Sequence, residues 1–136
     1  MKQVTLMKKY PIFELDVDKS ETSLKSVDEI LAHLKTQIDS HPVATFIAIF
    51  DHFSHTKSLK DGEIADEILD AKNIILCFGK KLPKPNLLGV RPRAIGVVEL
   101  ADKFILSFME APNPDATEAM KGWVKSVIDV NKLLTT

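Results

Sequence analysis

The chain has 136 residues, of which 45% are hydrophobic and 27% charged, and its formal net charge is −1. This composition excludes an intrinsically disordered protein, which needs low hydrophobicity and high net charge. It also argues against nucleic-acid binding, which usually requires a strongly basic balance. Cys77 is the only cysteine, so no internal disulfide is expected. A chain of this length can bury its own core, and we expect a single domain over residues 1–136.

The N-terminal segment, residues 1–9, is basic but lacks the apolar stretch of a signal peptide. No run of the sequence approaches the ~18 apolar residues that a membrane helix requires. We therefore expect a cytoplasmic protein that has no membrane partner and no nucleic-acid partner.

The first part of the chain predicts a strand, a helix and a second strand. Residues 10–17 alternate loosely between apolar and polar, and Pro11 indicates an edge strand because it cannot donate to a neighbouring strand. Ser26 and Glu29 have the spacing of a capping box, and the apolar residues that follow recur with the period of a helix. Residues 43–50 are apolar and rich in β-forming side chains, which predicts a strand.

The middle of the chain is less regular. Residues 63–70 are acidic and amphipathic, which predicts one or two helical turns, and residues 73–78 predict a strand that Gly79 ends. Three prolines between residues 80 and 93 predict an irregular loop. A short helical turn is expected within it at Leu87 and Leu88.

The last part of the chain predicts a hairpin and a helix. Residues 94–100 and 103–109 read as two strands joined by a tight turn. Asn113 is a favourable N-cap and Pro114 a favourable first helical residue. The apolar side chains of the helix that follows are Met120, Trp123, Val124, Val127, Val130 and Leu134.

This order of elements favours an α+β fold: a two-layer sandwich with a mostly antiparallel sheet of four or five strands and two main helices. The predicted strands are apolar on both faces, whereas a half-exposed antiparallel sheet alternates apolar and polar residues. Two helices cover one face, so the other face must meet the long loop, a ligand or a second subunit. We favour the second subunit and expect a homodimer.

Three features of residues 44–112 share their order and spacing with a known family. A strand ends in Asp51-His52, Phe78-Gly79 precedes a loop and the apolar pair Leu87-Leu88, and a hairpin with a following proline closes the segment. In these features the chain resembles the bacterial domain-of-unknown-function family 302 (DUF302). The resemblance implies a small two-layer α+β fold that is often dimeric, and it implies no reaction.

Asp51, His52 and His55 form the densest polar group of the sequence. A carboxylate beside two imidazoles can ligate a transition metal or supply a general base. A helical turn after Phe50 is required, because neighbouring side chains of a strand point to opposite faces. The alternative is that Asp51 caps the following segment and the histidines lie at the surface.

The loop from Gly79 to Arg93 concentrates positive charge. It contains no acidic residue and five basic ones: Lys80, Lys81, Lys84, Arg91 and Arg93. Such a loop can bind a small anion, with Arg91 and Arg93 as anchors because arginine donates two hydrogen bonds to one anionic group. The alternative is a solvated loop whose charges balance the acidic residues between 61 and 70.

The sequence therefore leaves three functions open. The favoured one is a dimeric, non-catalytic module that binds a small anionic or partly apolar ligand; a small enzyme using His52 or His55 with Asp51, and an accessory protein without a ligand, are the alternatives. Familiar catalytic, phosphate-binding and metal-binding motifs are absent from the sequence, so we expect no cofactor and no metal and identify no catalytic residue. The predicted ligand-binding residues are Asp51, His52, His55, Lys80, Lys81, Arg91 and Arg93.

Overall fold

The computed structural model describes residues 1–129, which form six strands and three α-helices. In chain order these are β1 (Lys2–Leu6), β2 (Tyr10–Asp18), α1 (Val27–Asp39), β3 (Thr45–Phe50), α2 (His52–Ser58), β4 (Asp70–Cys77), β5 (Arg93–Glu99), β6 (Lys103–Met109) and α3 (Pro114–Lys125). Single 3₁₀ turns occur at Lys19–Glu21 and Pro85–Gly89. The second of these confirms the helical turn expected at Leu87 and Leu88.

All six strands form one antiparallel sheet in the order β1-β2-β6-β5-β4-β3. The α+β class and the antiparallel sheet are confirmed. The predicted four or five strands are too few, because β1 falls in the basic N-terminal segment, which carries little apolar alternation. The predicted two helices are also too few, since α2 is a third. None of the described helices is long and apolar enough to span a membrane.

One face of the sheet forms the core together with α1 and α3. The N-cap of α1 is Ser26, whose hydroxyl oxygen accepts a hydrogen bond from the Glu29 N–H at 3.1 Å, as the sequence predicts. The large apolar side chains of α1 are all buried: Val27, Ile30, Leu31, Leu34 and Ile38. From α3, Met120, Trp123 and Val124 join them.

The prediction that residues 10–17 form an edge strand is wrong, because β2 lies between β1 and β6. Pro11 is tolerated because the ladder with β6 begins one residue later, at Ile12 and Met109. The carbonyl of Pro11 accepts a hydrogen bond from the Glu110 N–H at 3.0 Å. The nitrogen of Pro11 points to the same side as its carbonyl, so the N–H that proline lacks would face Glu110, just past the end of β6. Proline is therefore compatible with an internal strand where it lies just outside the ladder with one neighbour, and Pro11 still pairs with Thr5 of β1.

The helix predicted at residues 63–70 does not form. That segment is irregular and enters β4 at Asp70, and the Leu69 N–H donates to the Glu99 carbonyl at 2.9 Å, which extends the ladder with β5. The helix lies earlier, at α2, where Asp51 supplies the N-cap. At the C-terminus, α3 ends at Lys125, and the predicted helical positions Val130 and Leu134 lie outside the described residues.

The second face of the sheet is not covered by α1 and α3. Alternate strand residues point to it, including Ile75, Val98 and Ile105, and each of these is half-buried rather than buried. Val98 and Ile105 are direct cross-strand neighbours, and Ile75 pairs with Ala94. We call this surface the open face; Ile75, Val98 and Ile105 make it apolar in part, and Asn73 and Ser107 flank Gly96 on it.

Candidate functional site

A cavity of about 480 Å³ lies at the end of the sheet where β4 and β6 finish and β3 and β5 begin. Its walls come from the turn after α1, the basic loop and the start of α3. Most of the lining side chains are apolar: Val43, Phe78, Leu87, Val90, Ala111, Pro112 and Ala116. The charged ones are Arg91, Arg93 and Asp115. Both the volume and the few polar groups in an apolar wall are typical of sites for small molecules.

Arg91 lines the cavity, and its guanidinium packs against Gly79. One of its Nη atoms donates to the Lys81 carbonyl at 2.7 Å, which holds the loop. Its other Nη atom would lie 3.2 Å from a Cβ placed on Gly79, whose φ of +95° is in the region that favours glycine. Gly79 therefore provides both the turn after β4 and the room for the guanidinium.

The hydrogen bonds of Arg93 stabilise the fold. Its guanidinium donates to three backbone carbonyls, those of Val90 at 3.2 Å, Met109 at 2.7 Å and Glu110 at 3.0 Å. Partial burial lowers its pKa, because the charged form loses hydration, although an arginine so placed stays protonated at neutral pH. These bonds tie the start of β5 to the end of β6.

Within residues 1–129 neither Arg91 nor Arg93 has a carboxylate within ion-pair distance. The acceptors that they use are neutral carbonyls, so the positive charges are hydrogen-bonded but not compensated. Asp115 is the acidic side chain that lines the same cavity.

The start of α3 forms another wall of the cavity. The Asn113 side chain caps it by accepting from the Asp115 N–H at 2.9 Å, and the Thr117 N–H donates to the Asn113 carbonyl at 3.2 Å. The Ala116 N–H, between them, has no acceptor in the part of the chain that the structure describes. Free N–H groups at a helix start favour negative charge nearby.

His41 lines the cavity in a fixed tautomer. Its Nδ1 accepts from the backbone N–H groups of Val43 and Ala44, both at 3.1 Å, so a neutral imidazole carries its proton on Nε2. The ring packs edge-on against Phe78 and Trp123, which stack on each other with centroids 5.6 Å apart. His41 thereby adds a polar edge to the cavity wall.

Lys80 and Lys81 lie around a second cavity, of about 390 Å³, which the sequence did not separate from the first. Gly79 and Arg91 line both cavities. Cys77 is half-buried at the second one, and its thiol donates to the Phe78 carbonyl at 3.6 Å.

The structure places the Asp51 group away from both cavities, at the far end of β3. Asp51 caps α2: its carboxylate accepts from the Ser54 N–H at 2.9 Å and the Ser54 hydroxyl at 3.0 Å. The Ser54 N–H bond, helped by the Ser54 hydroxyl and by Lys72, lowers the pKa of Asp51. This geometry is the capping alternative that the sequence left open.

His52 and His55 do share one side of α2, with ring centroids 6.4 Å apart beside the Phe50 ring. The Nδ1 of His52 lies 3.3 Å from the Asn73 side-chain oxygen. Among the described residues, no hydrogen bond joins Asp51 to either imidazole, and no three metal-ligating side chains form a cluster. The seven predicted residues are therefore divided among three places rather than brought to one.

Comparison with known families gives one match. The model of a family of unknown function (DUF6858) matches residues 1–129. The chain belongs to this family. No curated protein and no solved structure matches the chain.

The resemblance to DUF302 is therefore wrong, because DUF6858 is the family that matches. The features that suggested it have local causes that many α+β domains share. Asp51 stands at the end of β3 because it caps α2, and Gly79 follows β4 because it takes a positive φ there. Such residues mark the ends of helices and strands and do not indicate that two proteins belong to one family.

The sequence missed part of the cavity of this DUF6858 member. His41, Phe78 and Ala116 come from three separated segments, and no motif links them. The Asn113-Pro114 cap did predict a helix start. That this start faces the basic loop depends on how α3 packs against the sheet.

Proposed function

We propose that this protein binds a small anionic, partly apolar ligand in the 480 Å³ cavity. One observation carries the proposal: the Arg91 guanidinium lines a largely apolar cavity and, among the described residues, has no carboxylate partner. A guanidinium in such surroundings binds an anion strongly, because low polarity strengthens charge-assisted hydrogen bonds. The free Ala116 N–H supports the same polarity of ligand.

The geometry supports binding better than acid–base catalysis. The enzyme alternative needs Asp51 to orient His52 or His55, but the Asp51 carboxylate is bonded to Ser54 instead. Both histidines are exposed and lie outside the two cavities. The binding proposal accordingly rests on Arg91 and Arg93 and no longer includes the Asp51 group.

We also propose that two copies associate through the open face. A sheet of six strands about 4.8 Å apart, with strands of about 20 Å, presents roughly 500 Å² of flat area, and its corrugated accessible area is larger. That is of the order of the ~800 Å² per partner that a standard interface buries. Four charged side chains on this face form two pairs, Asp16 with Lys103 at 3.0 Å and Glu14 with Lys2 at 3.4 Å, which limits the uncompensated charge that a second copy meets.

The ligand proposal is tested by calorimetric titration with phosphate, sulfite, thiosulfate and small carboxylates. We expect at least one of these anions to bind the parent protein, and Arg91→Gln to weaken that binding about ten- to one hundredfold, since a charged hydrogen bond contributes about 1.5–3 kcal/mol. Lys84→Gln is the matched control, because it removes a positive charge from the same loop outside the cavity.

Thermal melting of both variants verifies that they are folded. If Arg91→Gln fails to fold, Arg91→Lys replaces it, because lysine keeps the charge and loses the paired donors. Equal losses of affinity in the Arg91 and Lys84 variants, or no binding by any anion, would refute the cavity as the site and favour an accessory protein without a ligand.

A further inference from the structure

The charges around the cavity determine how much negative charge a ligand can carry. Arg91 and Arg93 contribute two positive charges, and Asp115 contributes one negative charge. Two minus one leaves a net charge of +1. A dianion would keep one charge uncompensated in a partly apolar site, which is costly, whereas a monoanion is matched.

The donors at the cavity suit a carboxylate. Arg93 already donates to three carbonyls, but Arg91 donates to one, which leaves most of its five N–H groups available. The planar fork of a guanidinium pairs with the two oxygens of a carboxylate. Ala116, whose N–H has no acceptor among residues 1–129, lines the same cavity.

The remaining wall favours an apolar body on the ligand. Phe78, Leu87 and Val90 contribute three large apolar side chains, and Val43 and Ala111 contribute smaller ones. An inorganic anion or acetate leaves most of this wall in contact with water. A chain of several carbons covers it, and each buried methylene stabilises the complex by about 0.8 kcal/mol.

We infer that the ligand is a monocarboxylate with an apolar body, its carboxylate at Arg91 and its carbon chain against Phe78, Leu87 and Val90. This inference rests on the binding function proposed above and adds the class of ligand. It separates a medium-chain carboxylate from a phosphate ester of the same length.

The test is a titration series with acetate, butanoate, hexanoate and octanoate, joined by hexanamide and hexyl phosphate. We expect affinity to rise up to about fourfold per methylene, the equivalent of 0.8 kcal/mol, until the cavity is filled. Hexanamide, which lacks the charge, should bind at least about tenfold more weakly than hexanoate. Hexyl phosphate, a dianion at pH 8, should also bind more weakly than hexanoate.

A pair of variants locates the apolar body. Leu87→Gln should reduce the affinity for octanoate much more than that for acetate, because it alters the apolar wall and not the charge. Leu82→Gln is the matched control, since Leu82 is exposed and lines the second cavity instead. An equal effect of the two variants on octanoate would overturn the assignment.

The possible outcomes distinguish the proposed ligand class from the proposed anion-binding function. Binding that is independent of chain length, or tighter binding of hexyl phosphate than of hexanoate, overturns the ligand class and leaves an anion-binding function standing. Silence across the carboxylates together with binding of phosphate or sulfite does the same. Silence across every anion removes both proposals.

Discussion

Arg91 and Arg93 are two residues apart in the basic loop and do different work. Arg91 has one described carbonyl acceptor and lines both cavities, so most of its donors are available to a ligand. Arg93 has three carbonyl acceptors and joins β5, β6 and the lead into α3. The two arginines therefore have different roles although they carry the same charge and lie close together in the sequence.

Replacing Arg93 should cost stability even when the charge is kept. Arg93→Lys loses the planar fork that reaches the carbonyls of Met109 and Glu110, and we expect the free energy of unfolding to fall by about 1–3 kcal/mol. Urea unfolding measures this change. Arg91→Lys is the control and should cost less, because it loses one described carbonyl contact; equal losses in the two variants would contradict the division of roles.

At the scale of elements, α1 and α3 meet through a polar contact beside the core. The Ser126 hydroxyl, at the end of α3, donates its hydrogen to the Trp123 carbonyl, so its oxygen accepts from the Nε2–H of His33 on α1 at 2.8 Å. Burial lowers the pKa of His33 from its ordinary value of 6.5, because the imidazolium loses hydration there. The packing of α1 against α3 therefore depends on the protonation state of His33.

This coupling predicts a pH dependence of stability. The unfolded chain, whose His33 titrates at the ordinary value of 6.5, binds the proton at a higher pH than the folded chain does. The contribution of His33 is therefore fully present above pH 6.5 and is lost as the pH falls through its lowered folded pKa. The melting temperature should decrease as the pH is lowered from 8 to 5, and this decrease should be smaller in His33→Gln. An unchanged slope in the variant would show that other groups cause it.

Helices were predictable where their ends are local. The Ser26 cap and the Asn113-Pro114 start each depend on residues within one turn of the chain, and both are observed. The helix expected at residues 63–70 fails because the segment continues toward the β4–β5 ladder, and pairing with a distant strand outweighs weak helical periodicity. Asp51 had been considered as a cap, and α2 follows from it.

For the whole molecule, the open face is the feature that a single chain leaves unresolved. The apolar surface of α3 contributes nothing to a dimer, because Met120, Trp123 and Val124 are buried in the core of the same chain. The open face carries the dimer proposal alone, through the half-buried apolar residues of β4, β5 and β6.

A single substitution tests that proposal. Val98→Lys places an unpaired charge at the centre of the apolar part of the open face, so we expect the dimer to dissociate while the fold persists. Sedimentation of the parent and the variant at about 100 µM gives the masses. Met7→Lys is the control, an apolar-to-lysine change at a turn residue that is 77% exposed, and it should leave the dimer intact. A parent protein that sediments as a monomer sinks the proposal.

The sequence by itself determined the local features of this protein: the α+β class, the caps of α1 and α3, the β5–β6 hairpin and a basic loop with two arginines. These depend on hydrophobic periodicity and on hydrogen bonds within a few residues. Only the tertiary structure decided that β2 is internal, that Asp51 lies away from the arginines, and that the cavity joins His41, Phe78, Arg91 and Ala116. Those contacts link distant segments, and their geometry follows from the packing of the whole sheet against α1 and α3, which no short stretch of sequence encodes.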